Sequence, residues 1–138
     1  MRKSILVWII TAICFISCGK TGDVVPGVAV NFTISRFDPS MAALTAPGGY
    51  VTILGYGVAG IIIYHRPDGT YTAYDRCSSY QPEKRCAVTI DDTGLNVTDP
   101  CSGSKFSLND GSPVKAPAIR SLRVYQVNVS AFQINVYN

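Results

Sequence analysis

From Val24 onward the sequence consists of short apolar or alternating segments, separated by turns rich in glycine, proline and aspartate. Alternation of apolar and polar residues predicts half-buried strands, and the wholly apolar run at 60–64 predicts a strand buried on both faces. The predicted strands are 28–35, 50–54, 60–64, 71–74, 88–91, 95–98, 106–108, 114–115, 122–127 and 132–137. Residues 38–44 predict one helical turn, with Asp38 as N-cap and Pro39 at the first position. No amphipathic segment of ten residues appears, so we expect an all-β fold, a small antiparallel sandwich or barrel.

Composition excludes several kinds of function. The 138 residues allow one domain, and a formal net charge of +3 without a basic stripe gives no indication of a nucleic-acid partner. The chain has five cysteines but only one histidine, His65. It therefore contains no site that needs two imidazoles, and His65 itself is expected in a solvated hairpin turn.

The N-terminus has the pattern of an export signal. Two basic residues, Arg2 and Lys3, precede an apolar run of about a dozen residues, which is shorter than the roughly 20 needed to span a membrane. The sequence Phe-Ile-Ser-Cys at 15–18 resembles the lipobox of bacterial lipoproteins. This resemblance implies a signal peptide at 1–17, which contains Cys14, lipidation of Cys18, a tether at 18–23 and a domain at 24–138. Because no acidic residue follows Cys18 directly, it further implies an outer-membrane lipoprotein that faces the periplasm or the surface. An ordinary signal peptide or a short anchor is the alternative.

Two cysteine-bearing segments, 75–86 and 99–106, flank a predicted hairpin, and a DGS turn and a Pro-Ala loop follow them. Together they resemble a Rieske iron–sulfur domain, over about 48–127. In that family two Cys and two His hold a [2Fe–2S] cluster, and the two imidazoles raise its potential. The segments PGGYV, GIIIY and AYDR are similar to a group of Bacteroidetes lipoproteins that carry this domain in degenerate form.

The cluster-ligand pattern of the family is mostly missing from this chain. By the resemblance the four ligand positions are Cys77, Ser79, Asp99 and Ser102, so only one of the four family ligands is present. We therefore expect no metal and no cofactor, and a [2Fe–2S] cluster only with an atypical ligand set, built from Cys77, Asp99 and either Cys86 or Cys101. The resemblance also implies a Cys86–Cys101 disulfide, which export would favour. Sequence alone leaves a Cys77–Cys101 pairing open.

These expectations lead to three hypotheses about function. The first is a lipid-anchored envelope protein that is not an enzyme and acts as a binding or structural module with an unidentified envelope protein partner. The second is electron transfer through an atypical [2Fe–2S] cluster. The third is a thiol redox role for Cys77, whose pKa the adjacent Arg76 would lower. A buried, inert thiol is the alternative to the third.

Overall fold

The structure is a computed structural model, and it describes residues 24–138. The predicted signal peptide and the whole predicted tether, including Cys18, lie outside the described residues. The strands are β1 (Asn31–Ser35), β2 (Tyr50–Ile53), β3 (Ile61–His65), β4 (Tyr71–Asp75), β5 (Thr89–Ile90), β6 (Asn96–Thr98), β7 (Lys105–Ser107), β8 (Pro113–Lys115), β9 (Val124–Val129) and β10 (Gln133–Tyr137). Two short 3-10 helices, Pro39–Thr45 and Pro82–Lys84, complete the regular structure of this part of the chain. None of the described helices has the length and apolar character needed to cross a membrane.

The strands form two antiparallel sheets, which confirms the all-β prediction. A six-stranded sheet has the order β1-β10-β9-β4-β3-β2, and a four-stranded sheet has the order β5-β6-β7-β8. The larger sheet therefore combines strands from both ends of the described chain. The smaller sheet is inserted between β4 and β9, and it carries the cysteine-bearing segments.

Strand β3 lies between two hydrophobic cores, which explains why its sequence is apolar throughout. Ile61 and Ile63 pack into the core enclosed by the larger sheet, with Phe32 and Val136. Ile62 and Tyr64 face the other way, into the core beneath the smaller sheet that also contains Phe106. Alternate side chains of a strand point to opposite faces, so a strand covered on both faces needs apolar residues at every position.

The first 3-10 helix forms where the sequence predicts a helical turn. The Asp38 carboxylate accepts a hydrogen bond from the Ser40 backbone N–H at 2.9 Å, as an N-cap does, and Pro39 is the first residue. Met41 and Leu44 on this helix are buried in the first core.

The prediction that His65 lies in a solvated hairpin turn is wrong. His65 is the last residue of β3 and is only 7% exposed, instead of lying in a solvated turn. Its ring stacks on Tyr71, and Nδ1 lies 3.0 Å from the carbonyl oxygen of Leu44. Because a carbonyl only accepts, Nδ1 carries the proton and donates. The histidine thus holds the first 3-10 helix against β3.

Candidate functional site

A disulfide joins the two cysteine-bearing loops. Cys86, in the loop between β4 and β5, is bonded to Cys101, in the loop between β6 and β7, with 6.3 Å between the Cα atoms. This confirms the pairing that the resemblance implies and excludes the Cys77–Cys101 alternative. The first loop is also closed at its base, because Cys77 and Ala87 form an isolated antiparallel bridge.

Within the second loop, the residues at the former ligand positions bind one another. The Asp99 carboxylate is fully buried and accepts from the backbone N–H of Cys101 at 2.8 Å and from the Ser102 hydroxyl at 2.6 Å. The Ser102 and Ser104 hydroxyl oxygens lie 2.9 Å apart. Asp99 and Ser102 therefore both have hydrogen-bond partners within the protein, and these bonds fix the shape of the second cysteine-bearing loop.

Two serines attach a third loop, residues 116–120, to the cysteine-bearing loops. The Ser79 hydroxyl donates to the carbonyl oxygen of Arg120 at 2.6 Å. The buried Ser104 hydroxyl accepts from the Ala118 backbone N–H at 3.0 Å. Each loop is thus connected to another by a covalent or hydrogen bond that needs no metal.

Cys77 is a free, fully buried thiol. Its S–H points toward the carbonyl oxygens of Pro82 and Ser78, at 3.6 and 3.7 Å. Burial, reinforced by the negative charge of Asp75, raises the pKa of this thiol to about 11. The hypothesis that Arg76 lowers this pKa is therefore wrong, and the alternative of a buried thiol that stays protonated at neutral pH agrees with the structure.

The donor set does not fit the ligand pattern of a Rieske [2Fe–2S] cluster. A Rieske centre needs two thiolates and two neutral imidazoles. The four ligand positions hold one thiol, one carboxylate that accepts two hydrogen bonds, and two hydroxyls that hydrogen-bond within the protein. Ligand atoms of Cys86, Asp99 and Cys101 do lie within 4.8 Å of one another, but both sulfur atoms are in the disulfide. His65 lies at the opposite end of β3, away from the cysteine-bearing loops.

Sequence reasoning missed the role of Asp75, the last residue of β4. Its fully buried carboxylate accepts four hydrogen bonds: from the backbone N–H groups of Val58, Ala59 and Cys77 at 2.7, 3.2 and 2.8 Å, and from the Tyr125 hydroxyl at 2.8 Å. Burial and this bond to Asp75 raise the pKa of Tyr125. No sequence signal identifies this centre, because the partners of Asp75 lie up to 50 positions away from it in the sequence.

The 55–59 loop reaches Asp75 through Gly57. Gly57 has a φ of +66°, and a Cβ atom there would lie only 2.5 Å from Asp75 Oδ2. Only glycine fits this close approach in this backbone conformation. The loop between β2 and β3 is therefore fixed to the end of β4, next to the start of the first cysteine-bearing loop.

Comparison with solved structures gives the fold. The cyanobacterial plasma-membrane Rieske protein PetC3 from Synechocystis PCC 6803 aligns with 81% of this chain and 100% of its own, at 24% identity and a TM-score of 0.58. The ferredoxin of carbazole 1,9a-dioxygenase from Nocardioides aromaticivorans IC177 aligns with 80% of this chain and 98% of its own, at 18% identity and a TM-score of 0.48. No protein-family model and no curated protein matches the sequence. The PetC3 alignment, over 81% of this chain, shows that the chain has a Rieske-like all-β fold.

Proposed function

We propose that this chain is a lipid-anchored protein of the bacterial envelope, whose Rieske-like domain holds no cluster and acts as a binding or structural module rather than an enzyme. The observation that carries the proposal is the bonding at the four ligand positions. Ser79, Asp99 and Ser102 make hydrogen bonds to the protein, and Cys77 is a buried thiol with a raised pKa.

A cluster normally cross-links the two loops that hold it. Here the Cys86–Cys101 disulfide joins those loops, and Ser79 and Ser104 bind the third loop. These three loops form the tip of the domain, which consequently has a defined shape without iron. A rigid tip of this kind suits docking on another surface, because little conformational entropy is lost on binding.

Reconstitution separates this proposal from electron transfer through an atypical cluster. We expect that anaerobic incubation of the purified full chain with ferrous iron and sulfide produces no visible charge-transfer bands. The Cys77→Ser variant should give the same spectrum as the wild type, since Cys77 binds no iron in the cluster-free protein that we propose. Bands in the wild type that disappear in Cys77→Ser would support electron transfer and overturn the cluster-free proposal.

The electron-transfer alternative draws on the proximity of Cys86, Asp99 and Cys101. It requires that the disulfide be reduced, so that two thiolates and one carboxylate become available. Repeating the reconstitution with and without prior reduction of the disulfide tests this requirement directly. Absence of visible bands in both samples is the expected result.

The anchor has its own test in cells. We expect globomycin, an inhibitor of lipoprotein signal peptidase, to block maturation of the wild type, and Cys18→Ala to remove the protein from its normal membrane fraction. Cys14→Ala serves as the control, because Cys14 belongs to the segment that processing removes. Normal processing of Cys18→Ala, or insensitivity to globomycin, would show that the export signal is of another kind.

A further inference from the structure

Five aspartates of the domain lie at one end of the sheets. Four turns or strand ends carry them: Asp38 follows β1, Asp68 joins β3 to β4, Asp91 and Asp92 join β5 to β6, and Asp110 joins β7 to β8. The Arg66 guanidinium donates to the carbonyl oxygen of Asn109 at 2.7 Å, which brings the β3–β4 and β7–β8 turns together. Gly94, next to the β5–β6 turn, faces Tyr50, the residue paired with Tyr64 near the end of β3. We call this the acidic end.

Side-chain hydrogen bonds favour the ionised form of four of these aspartates. Ser40, Thr70, Thr93 and Ser112 donate to four of them and hold the pKa of each carboxyl below its usual value; these are Asp38, Asp68, Asp91 and Asp110. Arg36 and Arg66 lie at the same end, and Lys105 reaches Asp91 at 3.7 Å. The five aspartates outnumber these cations.

The opposite end is basic. β4 ends there, and the Asp75 backbone N–H donates to the carbonyl oxygen of Arg123, just before β9. The cations of this basic end are Arg76, Lys84, Arg85, Arg120 and Arg123. Glu83 is the one exposed acidic residue of this end among residues 24–138, since Asp75 and Asp99 are buried and hydrogen-bonded within the protein. The two ends of the domain therefore differ in the sign of their exposed charge.

The N-terminal segment leaves the domain at the basic end. The Arg123 guanidinium donates to the carbonyl oxygen of Val25 at 3.3 Å, so Val24 lies beside the start of β9. Five residues, 19–23, separate Cys18 from Val24, so the six residue steps between the two span at most about 22 Å when fully extended. An acyl group on Cys18 would therefore keep this end close to the lipid surface, where its cations can come within the Debye length of about 8 Å at physiological ionic strength.

Apolar side chains accompany the cations at this end. Leu54 follows β2 beside the ends of β3 and β4, and Val124 begins β9; they are 69% and 50% exposed. Ile119, next to Arg120, is 81% exposed. Basic residues interspersed with exposed apolar side chains match the chemistry of an anionic lipid interface.

We propose that the basic end docks on the anionic lipid surface that carries the anchor, which directs the acidic end away from the membrane toward a partner. The inference rests on the lipid anchor of the proposed function. It adds an orientation: the tip with the Cys86–Cys101 disulfide faces the lipid, and the aspartate-bearing turns face outward.

Hydrogen–deuterium exchange of the lipidated full chain tests this orientation. The two samples are vesicles of phosphatidylcholine and vesicles that also contain phosphatidylglycerol. We expect residues 81–85 and 118–123 to exchange about five-fold or more slowly on the anionic vesicles. Each basic residue near such a surface favours the docked state by about a factor of five. High salt should abolish the difference, and the turns at 66–70 and 91–95 should exchange equally on both vesicles.

A charge-reversal pair provides the matched comparison. Arg120→Glu should reduce the protection at the basic end, whereas Arg36→Glu, the same charge change at the acidic end, should leave it intact. Equal protection of both ends, or none on anionic vesicles, would overturn the orientation. Flotation with phosphatidylcholine vesicles tests the anchor separately. If the protein does not float with them, the anchor is wrong, and the exchange on anionic vesicles still shows whether the basic end binds lipid.

Discussion

Replacing Asp75 with alanine is expected to lower the free energy of unfolding by at least about 4 kcal/mol, a large part of the 5–15 kcal/mol typical of a domain. The substitution removes the acceptor of four hydrogen bonds. Three backbone N–H groups and the Tyr125 hydroxyl then lack their acceptor around a buried position. Urea unfolding followed by circular dichroism measures the change.

Tyr125→Phe is the matched control for Asp75. It removes one of the four donors and keeps the carboxylate, so we expect a loss of roughly 1.5–3 kcal/mol, as for one hydrogen bond to a charged group. If Asp75→Ala costs no more than Tyr125→Phe, the carboxylate does not organise the β2–β3 loop and the first cysteine-bearing loop as described. If Asp75→Ala does not fold, Asp75→Asn, which keeps one acceptor oxygen, replaces it in the comparison. Its loss of unfolding free energy should exceed that of Tyr125→Phe.

Removal of the Cys86–Cys101 disulfide should have the second large effect. The bond joins residues 15 positions apart, which corresponds to about 3 kcal/mol in the chain-entropy model. We expect the Cys86→Ser/Cys101→Ser variant to unfold at correspondingly lower denaturant concentration. A reducing agent should destabilise the wild type by the same amount and leave the double variant unchanged. Equal stability of the oxidised wild type and the double variant would show that the hydrogen bonds alone hold the loops.

Local patterns were sufficient to predict the strands. The Asp38–Pro39 pair predicted the first 3-10 helix, and turn chemistry at 66–69 and 92–94 predicted two hairpins, because these signals act between near neighbours in sequence. Strand ends were less accurate: β1 begins at Asn31 rather than at residue 28, and β9 extends to Val129 rather than ending at residue 127. The pairing of β4 with β9 was beyond these patterns, since it depends on contacts distant in sequence.

The site was predictable only in part. The resemblance implied the disulfide and the four ligand positions, but it did not indicate where their side chains bind. Ser79 turns to Arg120 and Ser104 to Ala118, and both contacts depend on a third loop placed by tertiary packing. His65 was misplaced for a related reason. A histidine beside a turn is usually solvated, and its burial depends on the Leu44 carbonyl and the Tyr71 ring.

The central claim is that the Rieske-like domain of this chain holds no iron–sulfur cluster. The most direct test is to purify the full chain anaerobically from iron-replete cells and to measure iron and acid-labile sulfide per chain. The account predicts values near zero for both, in a colourless protein. About two of each per chain would contradict it, because residues other than a pair of imidazoles would then have to hold a [2Fe–2S] cluster.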